Sequence, residues 1–85
     1  MSQPDELKLQ IKQMIVERLF LDVEPDQIGD DENIMEAYNI DSVLLFEIVV
    51  GLEEVFEVSL EGVDFSIETF ATVNNIADFI ADMRG

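Results

Sequence analysis

The 85-residue chain contains no histidine and no cysteine. Without an imidazole or a thiol, it cannot assemble a Ser-His-Asp triad, a cysteine nucleophile or a zinc site built from histidine and cysteine. The lack of cysteine also excludes a disulfide framework, which fits a reducing compartment and makes the cytoplasm the expected location. Any acyl-transfer or redox chemistry associated with this chain would therefore need a group supplied from outside.

Long apolar runs are missing as well. No stretch of the sequence approaches the ~20 apolar residues that a membrane-spanning helix needs. The opening Met-Ser-Gln-Pro-Asp-Glu has neither the basic start nor the apolar centre of a signal peptide. We therefore expect no membrane span and, because no flexible linker is attached at either end, a freestanding protein.

Basic residues are scarce and unevenly distributed. Four lysines and arginines stand against 20 aspartates and glutamates, which gives a formal net charge of −16. Lys8, Lys12 and Arg18 lie near the start and Arg84 at the end, so residues 19–83 contain no base. Such a surface repels nucleic acid and attracts proteins with basic patches, although it can also serve solubility alone. We expect protein partners and no nucleic acid.

The sequence does contain enough apolar material for one small domain. Apolar residues make up 48% of the chain, so it is expected to fold despite its charge. A chain of this length buries roughly 60–65% of its unfolded surface. We predict one domain that spans residues 1–85, and a monomer.

Apolar residues recur at three- and four-residue steps, the period of an amphipathic helix. This period predicts three longer helices over residues 5–21, 42–56 and 73–83, with Thr72 as the cap of the last one. Ser66 is predicted to cap a short helical turn before it. The predicted fold class is therefore all-α, a small four-helix bundle of three longer helices and one short helix.

The connecting segments are predicted from turn-forming residues and isolated apolar side chains. Proline, glycine and several aspartates make residues 22–40 a long loop between the first and second helices. Three side chains are expected to hold this loop on the core: Ile28, Ile34 and Tyr38. Ile67 and Phe70 are expected to point inward, and Gly51 to permit the close approach of another backbone.

The start of the second helix carries the most informative motif, Asp41-Ser42-Val43. The first turn of a helix has free backbone N–H groups and the positive end of the macrodipole, both of which favour a phosphate. Asp41 is a good N-cap by residue type and would accept from those same N–H groups. Ser42 is therefore a candidate for carrying a phosphodiester.

The residues around Ser42 resemble those of the acyl carrier proteins, and the resemblance covers essentially the whole chain. In that family, two apolar residues four apart precede Gly-x-Asp-Ser-Leu, and the following helix ends in acidic residues and phenylalanine. The matching parts of this chain are Ile34, Tyr38, Asn39-Ile40-Asp41-Ser42-Val43, Glu47, Leu52-Glu53-Glu54-Val55-Phe56 and Thr72-Val73.

The resemblance implies that Ser42 is esterified by 4′-phosphopantetheine, donated from coenzyme A by a phosphopantetheinyl transferase that uses magnesium. The thiol of this arm would hold an acyl group as a thioester for delivery to acyl-transferring and chain-elongating enzymes of fatty-acid, polyketide or related synthesis. It also implies that Glu47, Glu53 and Glu54 face basic patches on those enzymes and that Asp41 presents the serine. The carrier itself would catalyse nothing.

The acidic end of the second helix has a physical argument of its own. Glu53, Glu54 and Glu57 lie near the helix C-terminus, where each acid is unfavourable to the macrodipole by a few tenths to about 1 kcal/mol. Helix stability therefore does not explain these residues. Partner recognition does, although a chain this acidic could also place acids there without function.

Three residues depart from the family pattern. Asn39 stands where glycine is usual, and asparagine tolerates the left-handed region better than other residues with a side chain. Val43 replaces leucine, and Leu44 replaces a polar or acidic residue. We expect Leu44 to be partly exposed, so that Val43 and Leu44 form an apolar contact for a dedicated partner; a stray surface leucine is the plainer interpretation.

Other functions were weighed against the carrier interpretation. A calcium loop that starts at Asp22 would need glycine in place of Gln27 and glutamate in place of Asn33, so no metal site is predicted. An acidic helical adaptor without a prosthetic group would leave Ser42 bare. A carrier of amino acids or D-alanine on the same arm can share Asp41, and the sequence does not separate it cleanly.

The cargo is the least accessible property. Its length would depend on a cavity among the helices, for which we predict a lining of Tyr38, Phe46, Ile48 and Ile76. The sequence does not give the volume of such a cavity.

Overall fold

A computed structural model describes residues 5–60 and 67–84 of the chain. Four α-helices follow one another, α1 (Asp5–Leu19), α2 (Ile34–Ala37), α3 (Ser42–Phe56) and α4 (Val73–Arg84). Two 3-10 turns, Pro25–Gln27 and Glu68–Phe70, lie in the connections. The described residues contain no strand, so the predicted all-α class is confirmed. The predicted cap Ser66 lies outside the described residues.

The core lies between α1, α3 and α4, and α1 packs against both of the others. Each of these helices turns one row of apolar side chains inward, as the three- and four-residue spacing predicts. The core also includes a T-shaped ring contact between Phe70 and Phe79, whose centroids are 5.6 Å apart. The buried apolar side chains of the three helices are Leu7, Ile11, Met14, Ile15, Ile48, Val49, Leu52, Val73, Ile76, Ala77 and Ile80.

The segment between α1 and α3 is more ordered than the predicted loop. Asn33 caps α2, because its Oδ1 accepts from the N–H of Glu36 at 3.2 Å. Ile28 and Ile34 are fully buried, as predicted. Tyr38 is half-buried and packs against the core, and burial followed by its hydrogen bond to Glu32 raises the pKa of Tyr38.

Ion pairs hold this segment on α1. The Asp30 carboxylate lies 2.6 Å from Lys12 Nζ and 3.6 Å from Lys8 Nζ, and Lys8 is buried. The hydrogen bond from Lys12, together with the attraction of both lysines, lowers the pKa of Asp30 against the opposing effect of desolvation. Two of the four basic residues of this acidic chain therefore form ion pairs within the molecule.

Backbone hydrogen bonds hold the other side of the segment beside α4. The N–H of Ile34 donates to the carbonyl of Ala71 at 2.8 Å, and the N–H of Asn74 donates to the carbonyl of Asp30 at 3.1 Å. Thr72 caps α4 as predicted, since its Oγ1 accepts from the N–H of Asn75 at 3.1 Å. The residues that lead to α3 are thus fixed to α1 on one side and to α4 on the other.

The helices α1, α2 and α3 are each followed, within two residues, by a residue with positive φ: Phe20, Asn39 and Glu57 respectively. Asn39 has φ 54°, and the N–H of Ile40 donates to the carbonyl of Met35 at 3.0 Å, which confirms the predicted left-handed conformation. Phe20 has φ 55°, and the N–H of Leu21 closes the same kind of bond at the end of α1. The first helix therefore ends at Leu19, two residues earlier than predicted, and the side chain of the following Phe20 is 91% exposed.

Two predicted contacts differ in the structure. Gly51 was expected to accommodate another backbone, but it is the Met14 side chain that lies against it, close enough that a Cβ at Gly51 would overlap Met14 Sδ. Ile67 was expected to point inward, but it is exposed, and Phe70 alone of that pair is buried. Phe70 lies within the 3-10 turn, whereas Ile67 precedes it.

Candidate functional site

Ser42 is the first residue of α3 and is exposed. The preceding residue, Asp41, has extended backbone dihedrals, and its Oδ1 accepts from the N–H of Leu44 at 2.9 Å. This is the side-chain N-cap that the sequence predicts, and it fixes where the helix begins. The hydroxyl of Ser42 is consequently held at the positive end of the helix dipole and is open to another molecule.

A small apolar depression adjoins the serine. It has a volume of about 130 Å³ and is lined by Ser42, Leu45, Phe46 and Val49. Of the predicted cavity lining of Tyr38, Phe46, Ile48 and Ile76, only Phe46 borders this depression: Ile48 and Ile76 are fully buried in the core, whereas Phe46 is 62% exposed. Phe46 lies on the outer side of α3, which the nearly all-round apolar sequence of this helix did not indicate.

The two unusual apolar residues after the serine have different environments. Val43 is 69% exposed, whereas Leu44 is half-buried and packs against the core. The expectation that Leu44 is partly exposed is confirmed, but most of the free apolar surface beside Ser42 comes from Val43 and Phe46. Phe46 was predicted to line a cavity among the helices and not to be exposed beside Ser42, because an apolar residue in a helix that is apolar almost all round gives no sign of an outward side.

Glu47 and Glu54 lie on α3 and both contact Arg18 of α1. Arg18 Nη1 donates to Glu54 Oε2 at 2.6 Å, and Arg18 Nε donates to Glu47 Oε2 at 3.4 Å. The hydrogen bond to Glu54 is the largest of several effects that raise the pKa of Arg18. These two acids, which were predicted to face partner enzymes, therefore already have a basic partner within the chain.

Glu53 also has an internal contact. Its Oε2 accepts from the N–H of Leu60 at 2.9 Å, which holds the residues after α3 against the end of that helix. The helix ends at Glu57, which has φ 53°. Glu53 therefore has a structural role that the sequence did not indicate, because the contact joins residues seven positions apart across a turn.

The residues at the start of α3 suit a phosphopantetheine group. The serine hydroxyl is exposed at a helix N-terminus that favours a phosphate, and an apolar depression lies directly beside it. Among the described residues, no group of three or more Asp and Glu side chains is arranged to hold a metal ion. No helix in the described ranges combines the length and the apolarity that crossing a membrane requires.

Comparison with known proteins places this geometry in context. Residues 10–80 match the family model described as a phosphopantetheine attachment site. An acyl carrier protein of Sulfurovum sp. is 33% identical over 73 residues, which cover 86% of this chain and 92% of that protein. An acyl carrier protein of Zymomonas mobilis is 32% identical over 74 residues, which cover 87% and 90%.

A solved structure supports the same relationship. Apo KstB-PCP superposes on this chain with a TM-score of 0.73 and 27% sequence identity. The superposition covers 87% of this chain and 81% of that one. The helical arrangement that presents Ser42 is therefore shared with an experimentally determined protein.

Proposed function

Because the chain belongs to the acyl carrier protein family, whose members carry covalently attached 4′-phosphopantetheine, we propose that Ser42 is the residue that bears this group. The observation that supports the assignment is the position of Ser42. It is exposed at the first residue of α3, next to the cap Asp41 and within the matched region. Within residues 5–60 and 67–84, Ser59 is the one other serine, and it does not begin a helix.

The residues around Ser42 have distinct tasks in this proposal. When bound, the prosthetic group supplies a thiol that holds the cargo as a thioester. In the transfer from coenzyme A, Ser42 Oγ would lose its proton and bond to phosphorus while the pyrophosphate bond of coenzyme A breaks and 3′,5′-adenosine bisphosphate leaves. The N-terminal backbone of α3 would stabilise the negative charge of the resulting phosphodiester. Asp41 fixes the first turn and places the hydroxyl where the phosphopantetheinyl transferase can reach it.

The depression beside Ser42 favours an acyl cargo. Leu45, Phe46 and Val49 offer an apolar surface, on which each buried methylene contributes about 0.8 kcal/mol. The ammonium group of an aminoacyl or D-alanyl cargo would be unfavourable against the same surface. We propose delivery of acyl groups to enzymes of fatty-acid, polyketide or related synthesis, in the cytoplasm and by the chain acting as a single domain.

Partner enzymes are proposed to read the residues that follow the serine. Their basic patches would approach the acidic surface of α3, which includes Glu47, Glu53 and Glu54. Val43 adds exposed apolar area next to the arm, and Leu44 supports it from a half-buried position. Asp41 contributes the charge closest to the modified hydroxyl.

The assignment of Ser42 is tested by intact mass. The chain is incubated with coenzyme A, magnesium and a promiscuous phosphopantetheinyl transferase, and we expect an increase equal to one phosphopantetheinyl group. Ser42→Ala should gain no mass, whereas Ser59→Ala, which removes an exposed serine elsewhere, should gain the same mass as the unchanged chain. A mass increase in Ser42→Ala would exclude this residue as the attachment site.

A further inference from the structure

Arg18 connects the two acids of α3 that the proposed function gives to partner enzymes. Its guanidinium contacts Glu54 at 2.6 Å and Glu47 at 3.4 Å, through two different nitrogens. The acids are seven residues apart, so they lie two turns apart on the same face of α3. One arginine of the first helix is thus shared between both.

The surface between the two acids is shaped for this side chain. Gly51 lies one turn after Glu47, and a Cβ at that position would be 3.4 Å from Arg18 Cδ and 3.1 Å from Met14 Cγ. The missing side chain leaves room for the aliphatic part of Arg18 to cross α3, with its charged end directed at the acids. Roughly a third of the Arg18 side chain, 29%, remains exposed.

The other described bases of α1 are directed elsewhere. Lys8 and Lys12 pair with Asp30, which lies in the segment before α3. Among the side chains that the structure describes, Arg18 is therefore the base that meets the acidic face of α3. Its charge offsets one of the two negative charges of Glu47 and Glu54, which weakens the local attraction for an approaching cation.

From this geometry we infer that Arg18 determines which partners the carrier accepts, by competing with their basic groups for Glu47 and Glu54. The inference rests on the proposed recognition role of these acids. A partner that relies on a lysine or arginine alone must displace or share Arg18. A partner that also brings an acceptor for the guanidinium, such as a carboxylate, can accommodate it. The internal ion pair therefore discriminates against enzymes that merely present a basic patch.

Removing Arg18 should improve recognition by a basic-patch enzyme. We would measure kcat/KM for modification of the chain by a promiscuous phosphopantetheinyl transferase with a basic docking patch. Arg18→Gln should lower KM for the carrier by about 3- to 10-fold at low salt, with the advantage shrinking as salt screens the freed acids. Lys12→Gln is the matched control, because it removes the same charge from α1 and takes away the closer of the two lysines that pair with Asp30, an acid that lies outside α3.

A second experiment distinguishes competition for Glu47 and Glu54 from a purely structural role of Arg18. It repeats Arg18→Gln in a chain that lacks both carboxylates. In the background Glu47→Gln with Glu54→Gln, Arg18→Gln should leave KM unchanged, because the guanidinium then has no carboxylate to release. Arg18→Lys, made in the unchanged background, keeps the charge but presents a single ammonium in place of two donor nitrogens. Its KM should therefore lie between the KM of the unchanged chain and that of Arg18→Gln. Far-ultraviolet circular dichroism before and after heating verifies that each variant is folded.

Two results would overturn the inference. In the first, Arg18→Gln and Lys12→Gln give the same KM. In the second, Arg18→Gln lowers KM equally with and without the two acids. Either result leaves the Ser42 assignment intact as long as the chain gains the mass of one phosphopantetheinyl group, whereas failure of that mass increase refutes the proposed function itself.

Discussion

The side chain of Met14 lies against the bare backbone of Gly51 where α1 and α3 meet. Met14 is buried, and a glycine in the middle of a helix costs roughly 0.5–1 kcal/mol relative to alanine. The structure accounts for this cost, because any side chain at Gly51 would occupy the space of the thioether. A flexible methionine can move away from a small addition more easily than a branched side chain could.

Substitution of Gly51 should therefore depend on the size of the new side chain. We expect Gly51→Ala to change the free energy of unfolding by less than about 1 kcal/mol, since better helix propensity offsets the displacement of Met14. Gly51→Leu should destabilise by about 1–3 kcal/mol, because it also forces Arg18 aside. Urea unfolding measures both. A fully tolerated leucine would show that the two helices do not meet closely here.

Asn39 should tolerate glycine but not valine. Its φ of 54° lies in the left-handed region, where glycine has no steric cost and a β-branched residue is strained by roughly 1–2 kcal/mol. We expect Asn39→Gly to melt within a few degrees of the unchanged chain and Asn39→Val to melt clearly lower. Similar melting temperatures for the two variants would contradict the left-handed helix end.

The stabilising effect of Asp30 should disappear in acid. Its pKa is lowered in the folded protein, so its contribution is present above the unfolded pKa and is lost as the pH falls through the folded one. Asp30→Asn should cost roughly 1 kcal/mol at pH 7, discounted because the carboxylate is partly exposed, and almost nothing at about pH 2. Urea unfolding of the unchanged chain and of Asp30→Asn between about pH 2 and pH 7 measures the difference in their free energies of unfolding. Asp26→Asn, at an exposed position, serves as the control.

Two substitutions of Asp41 distinguish its role as a helix cap from the recognition of its charge by the transferase. Asparagine caps a helix about as well as aspartate, so Asp41→Asn should keep the melting temperature while slowing modification by the transferase. Asp41→Ala should lose the cap and about 1 kcal/mol of stability as well. If Asp41→Asn is modified at the original rate, the residue acts through its cap alone.

Val43 and Leu44 should respond differently to aspartate. Val43→Asp places a charge on an exposed position, so stability should change by less than about 0.5 kcal/mol while turnover with an acyl-transferring partner falls. Leu44→Asp places a charge on a half-buried position that packs against the core, so it should destabilise by about 1–3 kcal/mol. Thermal melts and acyl loading distinguish them. A reversed order of stabilities would contradict their assigned environments.

Those parts of the fold that depend on a single local sequence pattern could be predicted from the sequence. The bounds predicted for α3, from Ser42 to Phe56, agree with the structure, because an N-cap starts a continuous apolar helix. The caps Asp41 and Thr72 and the left-handed Asn39 were predicted for the same local reasons. The family assignment was confirmed by the comparisons, while Ser42 as the attachment site stays a prediction.

The remaining features depend on contacts between distant parts of the chain. The left-handed residue that follows α1 is Phe20 and not the glycine that usually marks such a turn. The helix was therefore predicted to continue past Leu19, where it ends. The one-turn helix α2 is too short to show a period. The contacts of Arg18 with Glu47 and Glu54 were not predicted, because no pattern in the sequence records that these acids lie next to it after folding.

The segment before α3 is fixed on both sides, by Asp30 to the lysines of α1 and by backbone bonds of Ile34 and Asn74 beside α4. These attachments share residues, so loosening one weakens the next, and the amide protons of Ile34 and Asn74 should exchange with solvent together. Ser42 therefore follows a segment that is attached to two helices. In the proposed function, the distance that cargo travels between enzymes comes from the flexible arm, and the polypeptide serves as its anchor.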